Sequence, residues 1–188
     1  MSSPMQSMKR FGQDALATPA NFVTMGRLLF AVPTLILIER DGSTWLTWSL
    51  WFFLCITDSL DGWMARRDGT TRSGAFLDPI ADKVLTLGGF FVLVARGDVW
   101  WVPVAIMAAR EVLVSVYRIV AGRKGVSLPA VPLGKFKAFL QMLTVGAYVW
   151  PLTADIEWLC VSLLWVAVAL TVVSGVDIIR RGYQGAPT

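Results

Sequence analysis

The chain has 188 residues, of which 55 % are hydrophobic and only 16 % are charged, with a net charge of +4. A soluble domain of this length carries about 25 % charged residues, so we expect one compact domain that lies mostly in lipid. The absence of histidine excludes the commonest general base and the histidine-containing zinc sites, and two cysteines in apolar runs suggest no disulfide framework.

The hydropathy pattern predicts an all-α, polytopic membrane protein with six transmembrane helices. Residues 1–20 are polar and are expected to form a cytoplasmic or interfacial segment without a signal peptide. Residues 21–181 are expected to form the transmembrane domain, and residues 182–188 a cytoplasmic tail. Each apolar span is near the length that crosses about 30 Å of hydrocarbon. We expect the spans at about 21–38, 44–57, 75–95, 99–120, 134–152 and 156–179.

The ends of these spans carry further signals. Asp78 before Pro79 suits the N-cap and first position of the third helix, which would leave Gly74 outside it; alternatively the helix begins earlier, with a bend. Tryptophans near the span ends are typical of an interfacial aromatic belt. They are Trp45, Trp48, Trp100, Trp101 and Trp158.

Charge sets the expected orientation. The turns at one end of the spans carry only Arg40 and Arg96, whereas the flanks at the other end are rich in basic residues. The positive-inside rule therefore places both termini and the segment between the second and third spans in the cytoplasm. The other set of flanks holds Lys9, Arg10, Arg66, Arg67, Arg72, Arg123, Lys124, Lys135, Lys137, Arg180 and Arg181.

Four aspartates lie within 25 residues where the second and third spans meet. At about 100° per residue, Asp58, Asp61, Gly62 and Ala65 share one side of a helix. Gly74, Asp78 and Asp82 are spaced by fours and would also share one side if that segment is helical. Carboxylates this close repel one another unless divalent cations, which take oxygen ligands, lie between them. The pattern therefore predicts a metal site at a membrane face. It reads Asp58-x-x-Asp61-Gly62-x-x-Ala65-Arg66, then Gly74-x-x-x-Asp78-x-x-x-Asp82.

The residues between the acids indicate the chemistry. Gly62 and Ala65 would let a ligand approach the backbone, and Arg66 supplies a permanent cation suited to phosphate. Carboxylates, divalent metal and arginine together favour phosphoryl or phosphatidyl transfer, in which one carboxylate could take a proton from the attacking hydroxyl. A Gly-rich phosphate loop is missing from the sequence, so a nucleoside triphosphatase is not expected.

This motif resembles the signature of the CDP-alcohol phosphatidyltransferase family, with one residue fewer than usual between Arg66 and Gly74. The resemblance implies a six-helix membrane fold, commonly dimeric, that transfers a phosphatidyl group from CDP-diacylglycerol to an alcohol and releases CMP. It implies two Mg²⁺ or Mn²⁺ ions, with Asp82 as a ligand that also acts as general base. The implied metal ligands are Asp58, Asp61, Asp78 and Asp82, and the implied CDP-diacylglycerol-binding residues are Gly62, Ala65, Arg66 and Gly74.

Flanking residues point to the acceptor. They most resemble phosphatidylglycerophosphate synthases, which use glycerol 3-phosphate; cardiolipin synthases and inositol-phosphate-using enzymes of the same family are the alternatives. The flanks are Asn21-x-x-Thr24-x-x-Arg27, the run from Gly74 to Lys83, Arg110-Glu111 and Gly134-Lys135-x-Lys137.

Cations near the acids are candidates for binding the acceptor's phosphate: Arg110, Arg118, Lys135 and Lys137. For Arg110 the alternative is a structural pair with Glu111, and for the two lysines it is attraction to anionic headgroups. Asp177 is expected to pair with Arg180 or Arg181.

A divalent-cation carrier is the rival class. A carrier would place polar groups along a path near the midplane, whereas these acids crowd one face. We therefore favour a membrane transferase over a carrier. The resemblance implies that its partners are CDP-diacylglycerol, glycerol 3-phosphate, membrane lipids and a second copy of the chain, and we expect no nucleic-acid partner.

Overall fold

The computed structural model describes residues 19–68, 72–123 and 132–184, with side chains described for residues 25–58, 83–123, 133, 134 and 136–181. Within these ranges the chain forms six α-helices and no strand, which confirms the predicted all-α fold. The helices are α1 (Pro19–Asp41), α2 (Trp45–Asp68), α3 (Arg72–Arg96), α4 (Trp101–Arg123), α5 (Pro132–Val149) and α6 (Glu157–Gln184). Nearly all of the predicted N-terminal segment, and the last four residues of the tail, lie outside the described residues.

Most helices extend beyond the apolar runs that predicted them. α2 continues through the acidic motif to Asp68, and α3 already begins at Arg72. Asp78 therefore lies inside α3 and the predicted N-cap is wrong, while the alternative of an earlier start is correct. When α3 starts earlier, backbone N–H and C=O groups that would lack partners in apolar surroundings form helical hydrogen bonds. The free energy of these bonds outweighs the loss of the one hydrogen bond that Pro79 cannot donate.

Two glycines form the turns at the end of the bundle away from the acidic motif. Gly42 follows α1 with φ of 66°, and Gly97 follows α3 with φ of 81°, both in the left-handed region that ends helices. The guanidinium of Arg96 packs over Gly42 and donates from Nη1 to the carbonyl of Glu39 at 2.9 Å. The α1–α2 turn is thereby fastened to the α3–α4 turn.

Thr44, just before α2, and Thr47, in its first turn, form reciprocal hydrogen bonds that cap the start of the helix. Thr44 Oγ1 accepts from the Thr47 amide at 3.2 Å, and Thr47 Oγ1 accepts from the Thr44 amide at 2.9 Å. The Thr47 hydroxyl also donates to the carbonyl of Gly42 at 2.7 Å. These contacts satisfy backbone groups at the helix start that have no partner within the helix.

Helix packing places α2 and α3 between the same two neighbours. α1 packs against both of them, and α5 also packs against both. α5 and α4 each pack against α6, and α4 packs against α3. The two helices that carry the aspartates are thus held by common partners.

The described side chains leave apolar surface outside the bundle as well as inside it. Long apolar side chains point outward, for example Leu29, which is 74 % exposed, and Leu113, which is 65 % exposed. The interior combines an apolar core around Trp51 and Phe90 with a set of hydroxyl, amide and charged groups. Outward apolar side chains are typical of membrane proteins, in which lipid replaces water outside. The buried polar residues are Arg27, Thr34, Thr47, Thr86, Lys137, Gln141, Thr144, Thr171 and Ser174.

One described stretch, Glu157–Arg181 within α6, is long and apolar enough to cross a membrane as judged by length and composition. Trp45 and Trp158 are exposed where α2 and α6 begin, and Trp48 stacks on Trp150 with ring centroids 5.3 Å apart. Neither Cys55 nor Cys160 forms a disulfide bond.

Candidate functional site

The acidic motif lies at one end of the bundle, where α2 ends and α3 begins. Asp58 is in the second half of α2, followed on that helix by Asp61, Gly62, Ala65 and Arg66. Gly74, Asp78 and Asp82 are in the first half of α3. Apart from Asp58, the side chains of this motif lie outside the described residues, so their roles stay predictions.

Asp58 pairs with Arg27 of α1. Arg27 is only 4 % exposed and donates from Nη1 to Oδ1 of Asp58, whose side chain keeps 28 % of its surface exposed. The pair joins α1 to α2 at the first residue of the motif. Arg27 was not among the predicted site residues, although a lone arginine within an apolar span needs a polar partner.

The donor chemistry around Asp58 suits a hard cation. Its carboxylate is partly accessible, and the other three predicted ligands are also carboxylates, the oxygen donors that Mg²⁺ and Mn²⁺ prefer. Among the side chains that are described, no group of three or more His, Cys, Asp or Glu residues gathers into a metal site. Asp61, Asp78 and Asp82 do not belong to that set.

Arg110 on α4 cross-links two helices. Its Nη1 donates to Glu111 Oε1 at 2.9 Å, its Nε to the Thr171 carbonyl at 3.0 Å, and its Nη2 to Ser174 Oγ at 2.8 Å. The pairing with Glu111, proposed as the alternative to phosphate binding, is therefore confirmed. Phosphate binding by Arg110 stays a prediction.

Lys137 on α5 donates to the same carboxylate oxygen of Glu111. Lys137 is 6 % exposed, so its ammonium faces the bundle interior and not the headgroup layer. Arg118 is exposed near the end of α4. Thus Glu111 brings two of the four predicted acceptor-binding cations together, while the side chain of Lys135 lies outside the described set.

Lys83, the residue after Asp82, turns toward α4. Its Nζ donates to Ser115 Oγ at 2.6 Å, and Ser115 Oγ in turn donates to the Glu111 carbonyl at 2.6 Å. Lys83 was quoted in the flanking pattern but assigned no role. A cation placed next to a predicted catalytic acid is the signal that could have identified it.

An apolar groove of about 520 Å³ runs between α2, α5 and α6. It reaches Cys55, one helical turn before Asp58, and extends toward the stacked Trp48 and Trp150 at the other end of the bundle. Its remaining walls are Trp51, Phe52, Phe139, Met142, Leu143, Gly146, Ala147, Thr153, Leu159 and Leu163.

In the described part of the chain, an all-helical bundle has long apolar side chains outside and one stretch apolar enough to cross a membrane, features typical of α-helical membrane proteins. The sequence model of the CDP-alcohol phosphatidyltransferase family matches residues 17–173, and the chain belongs to that family. The resemblance predicted from the motif is confirmed.

Named relatives agree with this family. The chain is 38 % identical over 181 residues to the "probable phosphatidylglycerophosphate synthase" of Mycobacterium tuberculosis, covering 92 % of this chain and 85 % of that protein. It is 33 % identical over 167 residues to the "CDP-diacylglycerol–glycerol-3-phosphate 3-phosphatidyltransferase" of Haemophilus influenzae, covering 85 % and 90 %. The enzyme of the same name from Escherichia coli is 33 % identical over 157 residues, covering 79 % and 86 %.

Proposed function

We propose that this protein transfers the phosphatidyl group of CDP-diacylglycerol to sn-glycerol 3-phosphate, giving phosphatidylglycerophosphate and CMP. The observation that carries the proposal is the complete family motif on α2 and α3 at one end of the bundle, in a chain that matches the family over residues 17–173. The names of the Haemophilus influenzae and Escherichia coli relatives support glycerol 3-phosphate as the acceptor.

The donor would lie with its nucleotide at the motif and its lipid along the bundle. Gly62, Ala65, Arg66 and Gly74 are proposed to hold the cytidine diphosphate. The apolar groove begins at Cys55, one turn from Asp58, and could take an acyl chain attached to a headgroup at the motif. Burial of apolar surface there would contribute roughly 25 cal/mol per Å² to binding.

Two Mg²⁺ or Mn²⁺ ions would be held by Asp58, Asp61, Asp78 and Asp82. Ions held there would supply positive charge that neutralises the diphosphate of the donor. Asp82 is proposed to take the proton from the acceptor hydroxyl, whose oxygen forms a new bond to the phosphatidyl phosphorus while the bond from that phosphorus to the CMP oxygen breaks. Arg27 keeps Asp58 in place from α1.

We also propose that all six helices cross the membrane, with both termini and the motif on the cytoplasmic side, and that the protein forms a homodimer. The exposed apolar side chains on α1, α4 and α6 support the crossings, and the basic flanks support the orientation.

Membranes containing the protein, supplied with CDP-diacylglycerol, Mg²⁺ and glycerol 3-phosphate, should release CMP. Asp82→Asn should abolish turnover while much of the metal binding survives, and Asp155→Asn, at the opposite end, is the control. Competition with phosphatidylglycerol and an inositol phosphate tests the acceptor. CMP release that ignores glycerol 3-phosphate but follows one of these competitors would reject the proposed acceptor, and an active Asp82→Asn enzyme would reject the proposed base.

A further inference from the structure

Lys83 has hydrogen-bonding capacity that the described residues do not use. A lysine ammonium has three donors, and among the described side chains its one partner is the neutral hydroxyl of Ser115, at 2.6 Å. The hydroxyl of Ser115 in turn donates its hydrogen bond to the Glu111 carbonyl. No carboxylate of the described residues forms an ion pair with Lys83, so its positive charge is not balanced locally there.

Thr86 lies three residues further along α3, on the same face as Lys83. It is 5 % exposed, and its Oγ1 has no hydrogen-bond partner among the described residues. Leaving a buried hydroxyl without a partner costs about 1–3 kcal/mol. A hydroxyl in this state indicates that a further polar group binds beside it.

Both side chains line a small cavity of about 20 Å³ between α3, α4 and α5. A space of this size takes one water molecule or one oxygen atom of a larger ligand. Its opposite wall includes Glu111, Lys137 and Gln141. A whole phosphate group would therefore sit at the cavity mouth with one oxygen inside.

The charges around the cavity favour an anionic oxygen. The one carboxylate on the wall, Glu111, already accepts from both Arg110 and Lys137. Lys83 adds a positive charge to the wall that pairs with no described carboxylate. Excess charge in apolar surroundings is costly unless an oppositely charged ligand binds.

We propose that Lys83 and Thr86, facing Lys137, bind an oxygen of the phosphate group carried by the acceptor alcohol. This rests on the proposed function. Lys83 follows Asp82, the proposed base, with a rise of about 1.5 Å along α3, so the two residues lie at nearly the same depth of the bundle. A three-carbon acceptor is short. Its phosphate must therefore be held close to the group that takes the hydroxyl proton.

The test uses the purified full-length protein in detergent with Mg²⁺, measuring CMP release as each substrate is varied. Lys83→Met should raise the KM for glycerol 3-phosphate about tenfold or more, the usual effect of losing a hydrogen bond to a charged group. The KM for CDP-diacylglycerol should change less than twofold. Lys83→Arg should recover most of the loss, and Arg123→Gln, an exposed cation at the end of α4, is the control.

Thr86→Val gives a second, independent measurement, which also serves if Lys83→Met fails to fold. It should raise the KM for glycerol 3-phosphate about two- to fivefold without lowering the melting temperature, since it removes a hydroxyl that has no partner among the described residues. Inorganic phosphate should inhibit the wild type competitively against glycerol 3-phosphate, and less well in either variant.

The outcomes separate this inference from the proposed function. An unchanged KM for glycerol 3-phosphate in both variants, or a rise confined to the KM for CDP-diacylglycerol, would overturn the inference while leaving the transferase activity in place. A wild type that releases no CMP in response to glycerol 3-phosphate would reject the proposed function, and the phosphate site with it.

Discussion

Trp51 on α2 donates its indole N–H to the backbone carbonyl of Met142 on α5 at 3.2 Å. The ring is 2 % exposed and fits against two glycines, Gly89 of α3 and Gly146 of α5. One side chain thus touches three helices. The spacing of α2 and α3, on which the aspartate motif depends, is set partly by the thickness of this indole.

Gly89→Ala tests that packing. The new Cβ would lie 2.8 Å from Trp51 Cη2 and 2.9 Å from Val145 Cγ1, so neighbouring groups would have to move. Overpacking of this kind costs about 1–3 kcal/mol, which should lower the melting temperature of the detergent-solubilised protein. Gly122→Ala, where a Cβ meets nothing within 4 Å, is the matched control and should be neutral or stabilising. Equal melting temperatures would contradict the packing.

Thr47→Val should destabilise the start of α2. The substitution keeps the side-chain volume but removes an acceptor for the Thr44 amide and a donor to the Gly42 carbonyl. Loss of a helix cap together with a buried hydrogen bond costs about 1–2 kcal/mol. Unfolding in mixed micelles measures the change, and Ser49→Ala, at an exposed position, should have little effect. A Thr47→Val protein as stable as the Ser49→Ala protein would disprove the cap.

Glu111→Gln should be more damaging than the loss of a surface charge. It removes the carboxylate that Arg110 and Lys137, both largely buried, share, and breaking a buried ion pair in this way costs about 3–5 kcal/mol. Asp98→Asn removes the partner of the more accessible Arg96 and should cost at most about 1 kcal/mol. Both variants are compared by thermal unfolding. Similar losses would show that the Glu111 cluster contributes no more than a surface pair.

Asp58→Asn and Asp177→Asn make a matched pair for the proposed activity. Each aspartate bonds to an arginine, Asp58 to Arg27 and Asp177 to Arg181, but only Asp58 belongs to the motif. Losing a proposed metal ligand should lower kcat by about 10²-fold or more, whereas Asp177→Asn should retain near wild-type CMP release. If the two variants lost activity equally, Asp58 would have no special role.

The sequence was sufficient for the helices because hydropathy and helix length are local properties. The order of six helices, the turns at Gly42 and Gly97 and the ion pair of Asp177 with Arg181 all follow from neighbouring residues. The start of α3 did not, since an Asp–Pro pair is a strong local N-cap signal that the surrounding helix overrode. Membership of the family rested on eight residues in fixed spacing, which composition alone would not have given.

For contacts between residues far apart in the sequence, the sequence shows that a residue needs a partner but not which residue that partner is. A buried arginine within an apolar span requires a partner, but nothing in the sequence specifies that Arg27 meets Asp58, 31 residues away. From the sequence, Arg110 could either bind phosphate or pair with Glu111. Its hydrogen bonds to Thr171 and Ser174 depend on how α4 packs against α6. Lys83 gained significance only when its neighbours across α4 and α5 were known.

The hydrogen bond from Arg96 to the Glu39 carbonyl has a consequence for how the two turns are held together. It lies at the opposite end of the bundle from Asp58, and it joins both turns through a backbone carbonyl that side-chain substitution does not remove. Arg96→Ala would release the α1–α2 turn from the α3–α4 turn, whereas a substitution at Glu39 would leave the bond to its carbonyl in place.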